Sequence, residues 1–325
     1  MDSKWINTAR AALLAAALPG FCGCSKWPSE TALGDRSYRR GALERAALHY
    51  DRALEADPGD AAAWRGRGNV LAENGESDRA LDCYRRAQEL APQEPMGYFL
   101  EGILLGERGE TDAAIEAYGK AIACPGGSPW ARINRGKLLL EKGDCAASLA
   151  DYDAVIGTGG DSGGVRMMRG RALSCLERWN EAESELGKAI ALHAPAGAWS
   201  DRAFVRVKLG KWEEARSDEM KALAADKTVA NLNNLAILLL ASPREDLRDT
   251  ERARELLAEA RSLDPDNRYA PWLASTEAGL AFADGDTDRA IALLQGLVDA
   301  GTAELDDLKQ LDAYRRGVPY YLGGE

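Results

Sequence analysis

The sequence predicts an all-α protein, a solenoid of stacked helix pairs, and three series of residues predict it. Glycines stand at 34, 68, 102, 136 and 170, each 34 residues after the last. A second series, Gly41, Gly75, Gly109 and Gly143, keeps the same interval, and so do Tyr50, Tyr84, Tyr118 and Tyr152. Independent series that share one period mark a repeated unit, and such units grow by stacking on their neighbours.

Within one unit the letters assign themselves. Glycine inside a helix costs about 1 kcal/mol relative to alanine, so Gly68 needs an offsetting reason. We expect Gly68 and Ala80 to face each other across two antiparallel helices, with Trp64, Leu71 and Tyr84 filling the groove beside them. Gly75 stands where the first helix ends, in a place suited to the left-handed conformation that closes a helix. Ser77, Thr111 and Thr287 follow such glycines by two residues and are expected to cap the second helix. Pro58 and Pro92 stop it. Ser128 and Pro129 start a further helix with a cap and a proline in the first turn.

The register persists beyond the strict series. Residues 171–190 keep Ala182 and Ala189 and place Leu186 where tyrosine stood; residues 199–223 keep Trp199, Gly210, Ala215 and Ala222. Residues 233–265 have a longer turn between helices, and 278–298 supply an eighth unit. Leu305, Leu308, Leu311 and Tyr314 recur every three residues, which we read as a capping helix, followed by a loose end at "PYYLGGE". The glycine-rich stretch "GTGGDSGG" at 157–164 reads as a frayed helix end and a bend between a front and a rear half.

The period, and the W…G…A…Y…A…P order of residues 64–92, resemble the tetratricopeptide repeat. The resemblance implies a right-handed α-solenoid of about eight helix pairs over residues 27–302. Front units 1–4 fall in 27–160 and rear units 5–8 in 161–302, with the capping helix and tail in 303–325. It also implies a peptide-binding groove along the first helices. Carried onto this chain, the groove positions are Arg65 and Asn69, Phe99 and Ile103, Ile133 and Lys137, Met167 and Arg171, Ser200 and Phe204, and Asn233 and Ile237. Each pair is spaced four apart, on one helix face. Arg65, Lys137 and Arg171 are basic on an acidic chain and would suit a partly acidic segment. Arg65 with Asn69 resembles half of the family's carboxylate clamp, but the region of Leu100 does not supply the other half.

The chain ends and composition narrow the setting. A net charge of −11 disfavours nucleic acid as a partner, since that needs a basic face. Lys4 and Arg10 precede the apolar run "AALLAAALPGF", the pattern of a secretory signal over residues 1–23, too short to span a bilayer. "FCGC" at 21–24 resembles the lipobox of bacterial lipoproteins. It implies an acylated Cys24, a short linker over 24–29, and export to the periplasm or, with Ser25 following, anchorage at the outer membrane.

Catalytic motifs are sparse. "GDSGG" at 160–164 resembles the active-serine segment of trypsin-like proteases, but the two histidines, His49 and His193, do not lie in that family's histidine segment. Phosphate loops, dinucleotide fingerprints and paired-histidine zinc motifs do not occur, nor does a CxxC pair. Acidic runs such as "DDL" and "EDLRD" read as solvated helix faces. No catalysis, no cofactor and no metal are expected. The expected function is a cell-envelope scaffold that binds extended segments of other proteins. The alternatives are a pilotin-like assembly factor for one client, or an accessory subunit of a partner enzyme.

Overall fold

A computed structural model describes residues 28–322. The signal-like segment, Cys24 and residues 323–325 lie outside the described residues. Among those described there are 17 α-helices, one short 3-10 turn and no strand. The chain divides into two compact units, one ending at Gly160 and the other beginning at Asp161.

The front unit holds four helix pairs: α1 (Glu30–Arg39) with α2 (Leu43–Ala56), α3 (Ala61–Glu73) with α4 (Ser77–Leu90), α5 (Pro95–Glu107) with α6 (Thr111–Ala123), and α7 (Pro129–Glu141) with α8 (Cys145–Gly157). The rear unit holds α9 (Gly163–Cys175) with α10 (Trp179–Ala191), α11 (Gly197–Lys208) with α12 (Trp212–Ala225), α13 (Val229–Ala241) with α14 (Thr250–Ser262), and α15 (Ala270–Ala283) with α16 (Thr287–Asp299). The 3-10 turn Glu245–Leu247 lengthens the α13–α14 connection, and α17 (Leu305–Arg315) follows the last pair.

The glycine at the head of each period is a socket for the tyrosine of the same unit. A methyl placed on Gly34, Gly68 or Gly102 would lie 2.6 Å from Cε1 of Tyr50, Tyr84 or Tyr118, respectively. On Gly136 it would lie 3.0 Å from Tyr152, and on Gly170 2.7 Å from Leu186, which takes the ring's place. Ala80 is buried, but the group facing Gly68 is the Tyr84 ring, so the expected glycine–alanine pair is corrected to glycine–tyrosine. The Tyr50 ring also presses on Gly66, which explains the "GRG" stretch as helix packing.

Helix ends explain the second glycine series. Gly75 has φ +80°, its N–H bonds to Ala72 O, and the next amide, of Glu76, bonds back to Leu71 O. That hydrogen-bond pattern leaves one residue before the next helix, so Ser77, Thr111 and Thr287 fall inside α4, α6 and α16. The caps are one position earlier: at α16 the Asp286 side chain accepts from the Arg289 amide. Ser128 caps α7 as expected, through the Ala131 amide.

Three further expectations change. The glycine-rich stretch is not a frayed end: α8 runs through Gly157, the Gly160 N–H closes it on Val155 O, and α9 begins at Gly163. Gly163 is needed because a methyl there would meet Leu192 O and Ala194 N at 2.7 Å. In α17, Leu311 and Tyr314 are buried while Leu305 and Leu308 are 69% and 46% exposed. A step of three residues falls about 60° short of a full turn, so four residues at that spacing cannot share a face. Tyr314 nevertheless stacks on Phe282 with centroids 4.2 Å apart, and α17 covers the end of the last pair. Finally, Pro319–Leu322 is not a loose end: the Leu322 amide donates to Ala241 O at 2.9 Å.

Candidate peptide-binding surface

All twelve expected groove residues lie on first helices of pairs: two each on α3, α5, α7, α9, α11 and α13. Their side chains differ in what they can offer. On α3, Arg65 is paired with Glu94 at 2.6 Å, and Asn69 accepts a hydrogen bond from the Tyr84 hydroxyl. On α5, Phe99 is 1% exposed and Ile103 is likewise buried; both belong to the core, with Phe99 against the Tyr118 ring. Neither presents a side chain to a ligand. On α7, Ile133 is half-buried, and Lys137 is half-exposed with Glu141 no nearer than 3.9 Å.

In the rear unit, Met167 is half-buried and Arg171 is held by Asp201 at 2.6 Å. Ser200 donates to Glu219 at 2.9 Å. Phe204 is 52% exposed, edge-on to Trp179 and under the Lys208 ammonium. Asn233 is fully buried and accepts from the Thr276 hydroxyl, while its Nδ2 has no hydrogen-bond partner. Ile237 lines an open cavity.

The sequence reading missed a set of ion pairs that recur at about half the repeat period. Asp51–Arg67, Arg85–Glu101, Arg135–Asp151, Arg169–Glu185, Arg202–Asp218 and Arg261–Glu277 are each 16 residues apart, and each ties one helix to the next. Asp151, Glu185 and Asp218 are buried, so these carboxylates are structural and not part of a solvated face. A signal was available: an arginine and an acid spaced just short of half a period, repeated six times. A second spacing, about 30, joins neighbouring repeats at Arg65–Glu94, Arg171–Asp201 and Arg254–Asp284.

Three carboxyls crowd together on α11 and α12. Asp218 takes Arg202 and Arg206, and Asp201 takes Arg171. Burial pushes Asp201 upward against the pull of that arginine. Glu219 has the Ser200 hydroxyl as donor, and burial, reinforced by Asp201 and Asp218, pushes its carboxyl up to about 7. Ser162, the serine of "GDSGG", is the N-cap of α9, accepting from the Val165 amide. His49 is paired with Glu30.

A concavity in the rear unit has a volume of about 770 Å³. First helices form two of its walls, through Ile237 and Ala241 of α13 and Trp272 and Ser275 of α15; Arg248 and Gln310 add polar groups. That size and mixture of apolar wall and a few directed polar groups suit a ligand segment.

Stacked helix pairs of one repeated design define a helical-repeat protein. Residues 31–95 and 99–163 match the family model described as tetratricopeptide repeat, and the helix pairs beyond them continue the same fold. It is similar in fold to a tetratricopeptide repeat protein from Parabacteroides merdae (17% identity, TM-score 0.52, covering 88% of this chain and 99% of that one). It is also similar to the C-terminal part of a repeat-containing protein from Cytophaga hutchinsonii (15% identity, TM-score 0.58, covering 74% and 97%). No curated protein matches the sequence. Proteins of this repeat family generally mediate protein–protein interaction, and the fold is typically a non-catalytic scaffold.

Proposed function

We propose that the chain is a non-catalytic scaffold of the bacterial cell envelope that holds extended segments of other proteins along its first helices. The rear cavity carries the reading: a concave, partly apolar site two of whose walls are first helices and whose polar groups include a helix-end carbonyl and a guanidinium. These are the elements that grip an extended backbone. The acidic character expected of the partner has narrower support than the sequence suggested. Arg65 and Arg171 already neutralise Glu94 and Asp201, which leaves Lys137 as the freest cation of the three.

Export and lipid anchorage at Cys24 rest on the amino-terminal sequence. The disulfide-bonded state of Cys145 and Cys175 supports an oxidising compartment, while Cys83 and Cys124 are free, buried thiols. No helix of the described residues is long and apolar enough to cross a membrane. A lipid-modified cysteine would supply the attachment.

Site-specific photo-cross-linking in cells tests the groove. A photoreactive residue at Lys137 or Trp272 should trap discrete partners, whereas one at exposed Glu89, on a second helix, should not. Equal trapping from all three positions would remove the groove from the proposal. Fractionation of Cys24→Ser against wild type tests the anchor, which is lost if both distribute alike.

A further inference from the structure

The rear cavity already has an occupant. After α17 the chain reverses in a turn built on Gly317, which has φ +71°; Gly317 N–H bonds to Tyr314 O and Val318 N–H to Ala313 O. The turn sends Pro319–Leu322 back across the cavity wall, where it meets three kinds of anchor. The Leu322 amide donates to Ala241 O, one of the last carbonyls of α13, which has no intrahelical donor. The Tyr321 hydroxyl accepts from Arg248 Nη1 at 3.1 Å, and the guanidinium sits 5.3 Å from the centre of its ring. Tyr320 bonds to Asp306 and packs against the core that α17 shares with α15 and α16.

These are the contacts of a bound peptide: one main-chain hydrogen bond, a guanidinium on a tyrosine, and an aromatic anchor. They do not use the site fully. Arg248 Nε is buried and has no hydrogen-bond partner. Beside the tail the cavity of about 770 Å³ remains open, bordered by Trp272, which is 39% exposed. A buried donor without an acceptor costs about 1–3 kcal/mol, which a ligand that supplied an acceptor would recover.

We propose that Pro319–Leu322 is a built-in occupant of the rear groove, and that the partner is an extended, tyrosine-bearing segment that displaces it. The partner takes the Ala241 carbonyl and Arg248, and adds an acceptor for Arg248 Nε. This inference rests on the scaffold reading above and specifies its partner and its regulation. The tail is joined to α17 by a few residues, so its effective concentration is of the order of millimolar, and any free segment must compete with it.

The test uses a fluorescent synthetic peptide of residues 317–325 and binding measured by anisotropy. A chain ending at Arg316 should bind the peptide at least roughly tenfold more tightly than the full chain. Full-length Leu322→Pro, which removes the amide donor, replaces the leucine side chain and leaves α17 intact, should shift in the same direction. Arg248→Ala in the shortened chain should lose roughly tenfold. Equal peptide binding by shortened and full chains, or none by either shortened or Leu322→Pro protein with helical content intact, overturns the proposal. A peptide-displaceable dimer seen by light scattering would also overturn it, since the tail would then bind a second copy. If the peptide fails while cross-linking from Trp272 still traps partners, the self-occupied groove falls and the scaffold reading survives.

Discussion

Glu219→Gln should stabilise the rear unit at neutral and higher pH. The folded carboxyl titrates near 7 against an ordinary value of 4.5, and burial is the main cause. Nearby cations are engaged elsewhere, Arg171 with Asp201 and Arg202 and Arg206 with Asp218. The sign follows from proton counting. Between 4.5 and 7 the folded state holds a proton that the unfolded chain has released, so stability falls as pH rises through that window. Below it both states are protonated and there is no penalty. Above it the penalty is complete, and a shift of this size corresponds to about 3 kcal/mol. Glutamine keeps an acceptor for the Ser200 hydroxyl but never ionises. The variant should therefore match wild type at about pH 4.5 and exceed it by about 2–3 kcal/mol at about pH 8. Urea denaturation at several pH values, followed by tryptophan fluorescence, with Trp199 and Trp212 nearby, measures the difference. A difference that stays constant with pH, or a variant less stable at pH 8, would refute the burial argument.

Other substitutions probe the packing rules. Gly68→Ala drives a methyl to 2.6 Å from the Tyr84 ring and should cost about 3 kcal/mol, whereas Gly136→Ala, with 3.0 Å to Tyr152, should cost about half as much; urea midpoints decide the order. Asp218→Ala strands the Arg202 guanidinium beside a buried site, while Arg206 keeps Glu183, and should destabilise by about 3 kcal/mol, read from the same curves. Ser162→Ala should lower stability by about 1 kcal/mol through loss of the α9 cap. Burial raises the Cys83 and Cys124 thiols, so both should react slowly with a thiol reagent in the native state and fast after unfolding.

The repeating framework was legible because it is dictated by local rules that recur. A glycine at one position and a tyrosine 16 later define a socket, and a glycine with φ near +80° defines a helix end. What was not legible depended on direction. Ser77, Thr111 and Thr287 are good capping residues by type, yet the hydrogen bonds that close the previous helix leave no room for them at the cap. Leu305 and Leu308 are apolar at a plausible spacing, yet that spacing rotates them off the buried face of α17. For the expected groove, sequence placed the residues on first helices of pairs but did not show which of them were already engaged. Phe99 turned into the core, and Arg65 and Arg171 turned to acids about thirty residues ahead.

The rear concavity holds ligand-like features that Arg65 and Arg171 lack. An arginine committed to an acid of the next repeat strengthens the stack, but it then offers a ligand only what remains after that acid has been satisfied. Arg248 differs because it lies outside the regular helices, after the 3-10 turn that lengthens the α13–α14 connection. Its partners are the exposed Glu245 and the Tyr321 hydroxyl, and one buried nitrogen is left over. Ala241 O is available for the same reason: α13 ends in an extended Ser242, not in a glycine turn, so no following amide folds back to close it. The departure from the 34-residue rule therefore creates both groups that grip the tail. Restoring the rule tests this. Replacing the 242–249 connection with the three-residue Asp-Gly-Asp turn of Asp284–Asp286 should preserve the α13–α14 pair and abolish binding of the 317–325 peptide to the shortened chain. Retained binding would place the grip elsewhere in the groove.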